Sequence, residues 1–240
     1  MNTNAIIQLR ELSRDFDGRP ALTEVTCSVS AGQIYGLLGP NRAGKTTLLK
    51  ILAGLLVPTS GAASICGLDV EGDRQRAQAL VGSLIETPVF YDHLSAADNL
   101  SIHLAYMGVE GDIPGTLARA GLEGVGDKPV GRFSLGMRQR LALARAMVHR
   151  PRVLLLDEPL NGLDPIAIGE CRGLFRDLAE EGAALIVSSH ILSEVEQTAH
   201  RVGVLSGGRL VLEGDMEALK KAHPRDLEEF LVSYMKGVRV

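Results

Sequence analysis

Gly39-Pro40-Asn41-Arg42-Ala43-Gly44-Lys45-Thr46 sets two glycines, a lysine and a hydroxyl at the spacing G-x-x-x-x-G-K-[ST], which suits a loop that wraps a phosphate chain. Gly39 and Gly44 let the backbone turn tightly, so that successive N–H groups and a helix N-terminus face an anion. Lys45 adds a positive charge beside the outer phosphates, and the hydroxyl of Thr46 suits Mg2+. The flanks agree: apolar Ile34 to Leu38 reads as a strand before the loop, and Thr47 to Leu52 reads as a helix after it. A glycine turn with a helix cap and no ligand is the other reading, and it would make both flanks a coincidence. A second apolar run, Val153 to Leu156, ends in Asp157-Glu158-Pro159. Asp157 suits a metal and Glu158 an attacking water, a role that typically contributes ~10²–10⁴-fold to rate. Without the phosphate loop, the pair would read as two solvated acids at a strand end.

Two further positions carry chemistry in that context. Ser134 can cap the helix running to about His149, and Gly136 permits close approach, so a hydroxyl, backbone N–H groups and a helix dipole converge on an anion. A plain cap is the alternative. His190 follows the buried run Leu185 to Ser188, where an imidazole could hydrogen-bond a terminal phosphate and report its loss. His93, His103, His149, His200 and His223 read as satisfied surface or cap residues.

The elements that must hold these groups alternate. Short β-branched and leucine-rich runs exchange with helix-patterned stretches, which indicates an α/β protein with a mostly parallel sheet. The runs ending at Leu38, Leu156 and Ser188 show almost no polar alternation, as strands covered on both faces do, and ligands of open α/β sheets lie at such carboxyl ends. Ile6 to Leu12 and Val25 to Val29, around the turn Asp15 to Gly18, together with Ser64-Ile65-Cys66, suggest a small antiparallel layer. Phe90 to Arg150 is helical, broken by glycines at 108–111 and 121–131. Val202 to Leu205 and Leu210 to Glu213 read as a hairpin, and the charged stretch from Asp215 as exposed helix.

The 240 residues are 45% hydrophobic and 22% charged, which excludes wholesale disorder. A net charge of −4 is mild and of the wrong sign for an electrostatic nucleic-acid binder. Cys27, Cys66 and Cys171 are too few and too scattered for a disulfide framework and read as buried thiols in a reducing compartment. No apolar run approaches the ~20 residues of a membrane span, and the N-terminus lacks a secretory pattern, so a cytoplasmic address is expected.

With these motifs in order, the chain resembles the ATP-binding subunits of ABC transporters from about Phe16 to Gly214. Phe133-Ser134-Leu135-Gly136-Met137-Arg138-Gln139-Arg140 is similar to the family signature, Asn161-Gly162-Leu163-Asp164 to its D-loop, and Ser188-Ser189-His190 to its switch histidine. The resemblance implies a P-loop NTPase (RecA-like) core with an N-terminal antiparallel β layer and an inserted helical subdomain. It implies one domain over 1–240: the β layer and phosphate-loop part to about 88, the helical subdomain 89–150, the rest of the core 151–214 and a tail 215–240. ATP and Mg2+ are the implied ligands. Lys45, Glu158 and His190 would act in hydrolysis; Gly39, Pro40, Asn41, Arg42, Ala43, Gly44, Lys45, Thr46 and Thr47 would hold nucleotide; Thr46 and Asp157 would hold the metal. Ser134 and Gly136 would serve nucleotide held by a partner, a second copy of the chain or a homologous ATPase subunit, in a head-to-tail dimer, with Asp164 coupling the two sites, although Asp164 before Pro165 also fits an ordinary helix cap. Phe16 would stack on adenine or pack beneath the N-terminal turn. A membrane permease is the implied second partner, received by Phe90, Tyr91 and the helical subdomain, which would place the chain peripherally on the inner face of the cell membrane.

Two departures narrow the likeness. Glu86 stands where most of the family carry glutamine, either near Mg2+ and the attacking water or on the loop surface. Arg42 stands where small residues are usual, facing nucleotide, a partner copy or solvent. The segment from Val81 to Leu100, with the Phe-Ser-Leu-Gly-Met signature, is similar to exporter ATPases of bacitracin resistance and lantibiotic immunity. A soluble ATPase acting on nucleic acid or ribosomes has little room, since the Lys45-to-Ser134 interval is short and no basic aromatic-rich segment exists. A nucleotide sensor without hydrolysis would leave Glu158 and His190 idle.

Overall fold

β1 (Ala5–Phe16) and β2 (Arg19–Ser30) form a hairpin at the start of the residues, 5–235, that this computed structural model describes. The turn is only Asp17-Gly18, with φ of 49° and 76°, the left-handed pair whose twist matches paired strands. Phe16 therefore ends a strand instead of lying in a four-residue turn. β3 (Ile34–Leu38) runs into α1 (Lys45–Leu52), followed by β4 (Ser60–Ile65) and β5 (Leu68–Asp69). The first sheet is antiparallel in the order β2-β1-β4-β5. Cys66 is not in a strand as expected: with φ 51° it forms, with Gly67, the tight turn between β4 and β5. It is also exposed, whereas Cys171 is buried and Cys27 half-buried, and all three are free thiols.

After α2 (Arg74–Gln78) and β6 (Val81–Leu84) come three helices, α3 (Ala96–Met107), α4 (Ile113–Arg119) and α5 (Leu135–Met147). Ser95 and Asp98 start α3 with a reciprocal capping box, and Leu100, Leu104, Leu117 and Leu141 close the helices on one another. The chain then alternates through β7 (Val153–Asp157), α6 (Pro165–Glu180), β8 (Ala184–Ser189), α7 (Leu192–Glu196), β9 (Arg201–Ser206) and β10 (Arg209–Asp215). The second sheet has the order β10-β9-β3-β8-β7-β6, parallel except for β10. Every residue of β3 and β8 is buried, which is why these segments read as unbroken apolar runs. Because β3, β8 and β7 are neighbours, the phosphate loop, His190 and Asp157-Glu158 emerge side by side from one end of the sheet. No helix among the described residues is long and apolar enough to cross a membrane.

Residues 216–235 are mainly helical, with most of their charged positions exposed as expected but one side docked on the core; 236–240 lie outside the described residues. α8 (Met216–Ala222) and α9 (Leu227–Met235) place Met216 and Leu231, 1% and 0% exposed, in the main core. Ser206 donates to the Met235 carbonyl at 3.1 Å, and His223 stacks on Phe230 at 3.8 Å. The charged residues that suggested an exposed tail lie on the outer face of an amphipathic helix.

His103 on α3 and His149 just after α5 are likewise not satisfied surface residues. Their rings meet edge to face at 5.6 Å, and His103 Nε2 and His149 Nδ1 are buried without partners. Burial, reinforced by His149 and Arg145, lowers the His103 pKa to about 4. Burial also lowers that of His149, against the Val81 carbonyl 3.2 Å from its Nε2. Histidine in an unfolded chain titrates near ~6.5, so below that pH the unfolded state binds protons that the native state refuses. Stability from these neutral rings is complete above ~6.5 and is lost as pH falls toward about 4. Urea unfolding midpoints are expected to fall through this window, and His103→Leu should flatten the fall; an equal fall in the variant would assign it to other groups.

Candidate functional site

The phosphate loop is built by close contact. A Cβ on Gly39 would lie 2.4 Å from the Leu205 carbonyl oxygen, and one on Gly44, at φ 109°, 2.6 Å from that of Ala21. Lys45 opens α1 and is 6% exposed. Its Nζ donates to the carbonyls of Gly39 at 2.7 Å and Pro40 at 3.4 Å, and pairs with Glu158 Oε1 at 3.2 Å. Thr46 donates its hydroxyl to Asp157 Oδ2 at 2.7 Å. A cavity of about 370 Å³ lies above, lined by Phe16 and Ala21 on one side, Asn41 to Thr47 along its floor, and Asp157 and Glu158 beyond. Phe16 is 41% exposed on its rim, not packed beneath the turn.

At the ends of β7 and β8, four side chains are tied together. The Ser188 hydroxyl donates to Asp157 Oδ1 at 2.6 Å and accepts the Glu158 N–H at 3.0 Å. Glu158 has φ 47°, a left-handed conformation costly for a side-chain-bearing residue, and this hydrogen bond helps to hold it. Its other carboxylate oxygen, Oε2, lies 2.9 Å from His190 Nδ1. Gln139 of α5 donates to the Pro159 carbonyl at 2.9 Å, anchoring the turn after Glu158 to the helical part. In the sequence Ser188 stands only as a strand end and within Ser188-Ser189-His190, and Gln139 only within the signature run, with no role of its own for either. A fully buried serine closing an apolar strand was the available signal for the first, and its two partners become visible only when β7 and β8 pair.

Thr46 and Asp157 present hard oxygen donors side by side, a donor set that fits a Mg2+ whose remaining positions are filled by phosphate and water. Among the described residues no group of three or more His, Cys, Asp or Glu side chains could hold a metal. Glu86, at φ 62°, lines a neighbouring cavity of about 650 Å³ with Leu135, Gln139, Asp157 and Glu158, and its carboxylate is engaged by Lys50 of α1.

Ser134 and Gly136 are not brought to the phosphate-loop cavity of their own chain. Ser134 caps α5 by accepting the Met137 N–H at 3.2 Å. A Cβ on Gly136 would meet only Leu163, at an ordinary 3.6 Å, so nothing in this chain demands glycine there. Leu135 and Ile166 stand 68% and 76% exposed beside them. Asp164 caps α6 through the N–H groups of Ala167 and Ile166, and the bond from Ala167, with smaller help from Ile166, holds its carboxyl below the ordinary aspartate range. Arg42 is exposed on the loop at φ 69° and faces the cavity.

A hollow of about 580 Å³ lies at the other end of the sheet, with Arg119, Arg150 and Arg152 in its wall. α4, α5 and α6 end nearby, and Arg119 holds Glu181 at 2.8 Å. Carbonyl ends of helices favour cations, so these arginines are accounted for without a ligand.

The family model described as ABC transporter matches residues 22–161. The bacitracin transport ATP-binding protein BcrA of Bacillus licheniformis is 41% identical over 238 residues, which cover 98% of this chain and 78% of that one. The lantibiotic transport ATP-binding protein SrtF of Streptococcus pyogenes is 39% identical over 213 residues, 88% and 92% of the two chains. A solved ATP binding subunit of an ABC transporter superposes with a TM-score of 0.85 at 27% identity, covering 95% of this chain and 99% of that one.

Removing the Ser188 hydroxyl would leave a buried N–H and a carboxylate oxygen without their partner. Ser188→Ala is expected to lower the unfolding free energy by about 1–3 kcal/mol in urea titration; an unchanged midpoint would show that water replaces the hydroxyl at no cost.

Proposed function

Because the chain belongs to the ABC transporter family and is the ATP-hydrolysing subunit of a transporter, we propose that two copies close head to tail around two ATP molecules and drive a membrane permease exporting a peptide antibiotic. The observation that carries the dimer is the split site. Lys45, Thr46, Asp157, Glu158 and His190 gather on one cavity, while Ser134 and Gly136 sit elsewhere, on a surface where glycine has no use within the chain and Leu135 and Ile166 are bare. A partner's triphosphate at the N-terminus of α5 gives that glycine its purpose. Arg42 stands on the rim as an added cation between nucleotide and partner.

In this reading Phe16 stacks on adenine, and the loop N–H groups from Asn41 to Thr47 receive the phosphates. Thr46 and Asp157 would hold Mg2+, whose charge would neutralise that on the phosphate oxygens. Lys45 leaves Glu158 for the γ-phosphate. The freed Glu158 carboxylate then orients the attacking water and accepts its proton, as the water oxygen bonds to the γ-phosphorus and the bond to the ADP oxygen breaks. His190 holds Glu158 through Oε2 and contacts the γ-phosphate. Asp164, fixed as a cap beside the signature surface, transmits closure between the two sites. Glu86 adds negative charge near the metal once Lys50 releases it.

The permease is received by the helical part, where Val89, Tyr91 and Tyr106 are 80%, 55% and 89% exposed; Phe90 packs inward instead, against the core. This contact holds the subunit on the cytoplasmic face of the membrane. The peptide cargo is supported by the 41% and 39% identity to bacitracin and lantibiotic transport proteins.

Glu158→Gln is expected to lower turnover by about 10²–10⁴-fold while retaining ATP, and light scattering should show ATP converting this variant from monomer to dimer. A variant that binds ATP yet stays monomeric, with and without the permease, would overturn the sandwich. For the cargo, the subunit co-purified with its permease into vesicles should show ATPase stimulated by bacitracin or a lantibiotic; stimulation only by unrelated compounds would reject the peptide class.

A further inference from the structure

We propose that Arg14 is a positioning residue for the nucleotide: it fixes the Phe16 ring and ties it to the segment that follows the phosphate-loop helix. The inference rests on the reading that Phe16 stacks on adenine. Arg14 and Phe16 are two residues apart on β1 and so share one face of the strand. The guanidinium carbon lies 4.7 Å from the centre of the Phe16 ring, within the range of cation–π attraction. Phe16 lines the phosphate-loop cavity and Arg14 does not, so the guanidinium backs the ring and leaves its other face to a ligand.

Arg14 is itself anchored. Its Nη1 donates to the Val57 carbonyl at 2.9 Å, while its Nε is buried without a hydrogen-bond partner among the described residues. Two neighbouring bonds reinforce the junction: Asp15 N–H donates to Thr59 Oγ1 at 3.0 Å, and Thr59 N–H to the Ser13 carbonyl at 2.8 Å. Residues 57–59 belong to the segment that leaves α1 for β4, and α1 begins at Lys45. The end of β1, carrying the base platform, is thus fastened to the segment that joins the phosphate-holding helix to β4. Arg14 sets the ring at a fixed height and tilt relative to Lys45, so a nucleotide spanning both meets a platform already in place. Ordering the ring before binding removes an entropy cost from the adenine contact but does nothing for a ligand that lacks a base.

That difference supplies the test. In the full-length chain, Arg14→Leu, Arg14→Lys and Phe16→Ala would be compared by KM and kcat for ATP, by affinity for ATP and for inorganic tripolyphosphate, and by Tm. Arg14→Leu is expected to raise KM for ATP about 3–10-fold with kcat unchanged, to leave tripolyphosphate affinity unchanged, and to be partly rescued by lysine. Equal weakening of ATP and tripolyphosphate, or a loss that follows Tm, would overturn the proposal in favour of a structural role. ATP affinity lost in Phe16→Ala but kept in Arg14→Leu would overturn it while sparing the adenine reading. If Phe16→Ala leaves the ratio of ATP to tripolyphosphate affinity unchanged, the stacking itself falls and the proposal with it.

Discussion

A buried ammonium needs anionic company, and Lys45 imposes that requirement on everything around it. An unpaired charge at this depth would be several kcal/mol unfavourable. The Gly39 and Pro40 carbonyls and the Glu158 carboxylate meet the need. Glu158 in turn is held by His190, and its backbone by Ser188, which also holds Asp157, which accepts from Thr46. These contacts form one connected network of charges and hydrogen bonds. In the proposed cycle a triphosphate replaces Glu158 on the lysine, so the group placed to act on water would be freed by the arrival of the molecule it acts upon.

The sheet order makes this circuit possible. Asp157 and Ser188 lie opposite one another in the parallel register of β7 and β8, and β8 separates β7 from β3 and its loop. Residues more than a hundred positions apart in sequence therefore meet without any long side chain having to reach. The cap on α5 follows a different logic, because its hydroxyl accepts the Met137 N–H and its glycine meets only Leu163, which leaves room for the partner's nucleotide in the proposed dimer.

Much of this was legible from residues alone, for a physical reason. A phosphate loop needs its glycines, lysine and hydroxyl within eight positions, and a strand buried on both faces cannot hide its apolar run. The α/β architecture and the grouping of strand ends follow from such local rules. Partners chosen by the fold were not legible: Ser188 bridging two acids, Lys50 engaging Glu86, Arg14 backing Phe16. The final helices were misjudged because charged outer positions outnumber the few that dock, and Leu231 reaches the core only through packing against β9. Cys66 was placed in a strand because its neighbours are apolar, yet the hairpin required two left-handed residues there. His103 and His149 gave no pattern at all, since their burial arises where separate helices meet.

The pairing of β3 has a consequence for synthesis. Its five buried residues find their strand partners only in β8 and β9, which leave the ribosome roughly 150 residues later, about 8–30 s at ordinary elongation rates. The N-terminal hairpin, α1 and β4 can cover the face of Tyr35 and Leu37 early, but both hydrogen-bonding edges of the strand stay unpaired while most of the chain is still being made. A slow or paused ribosome lengthens the interval in which those open edges can pair with another nascent chain.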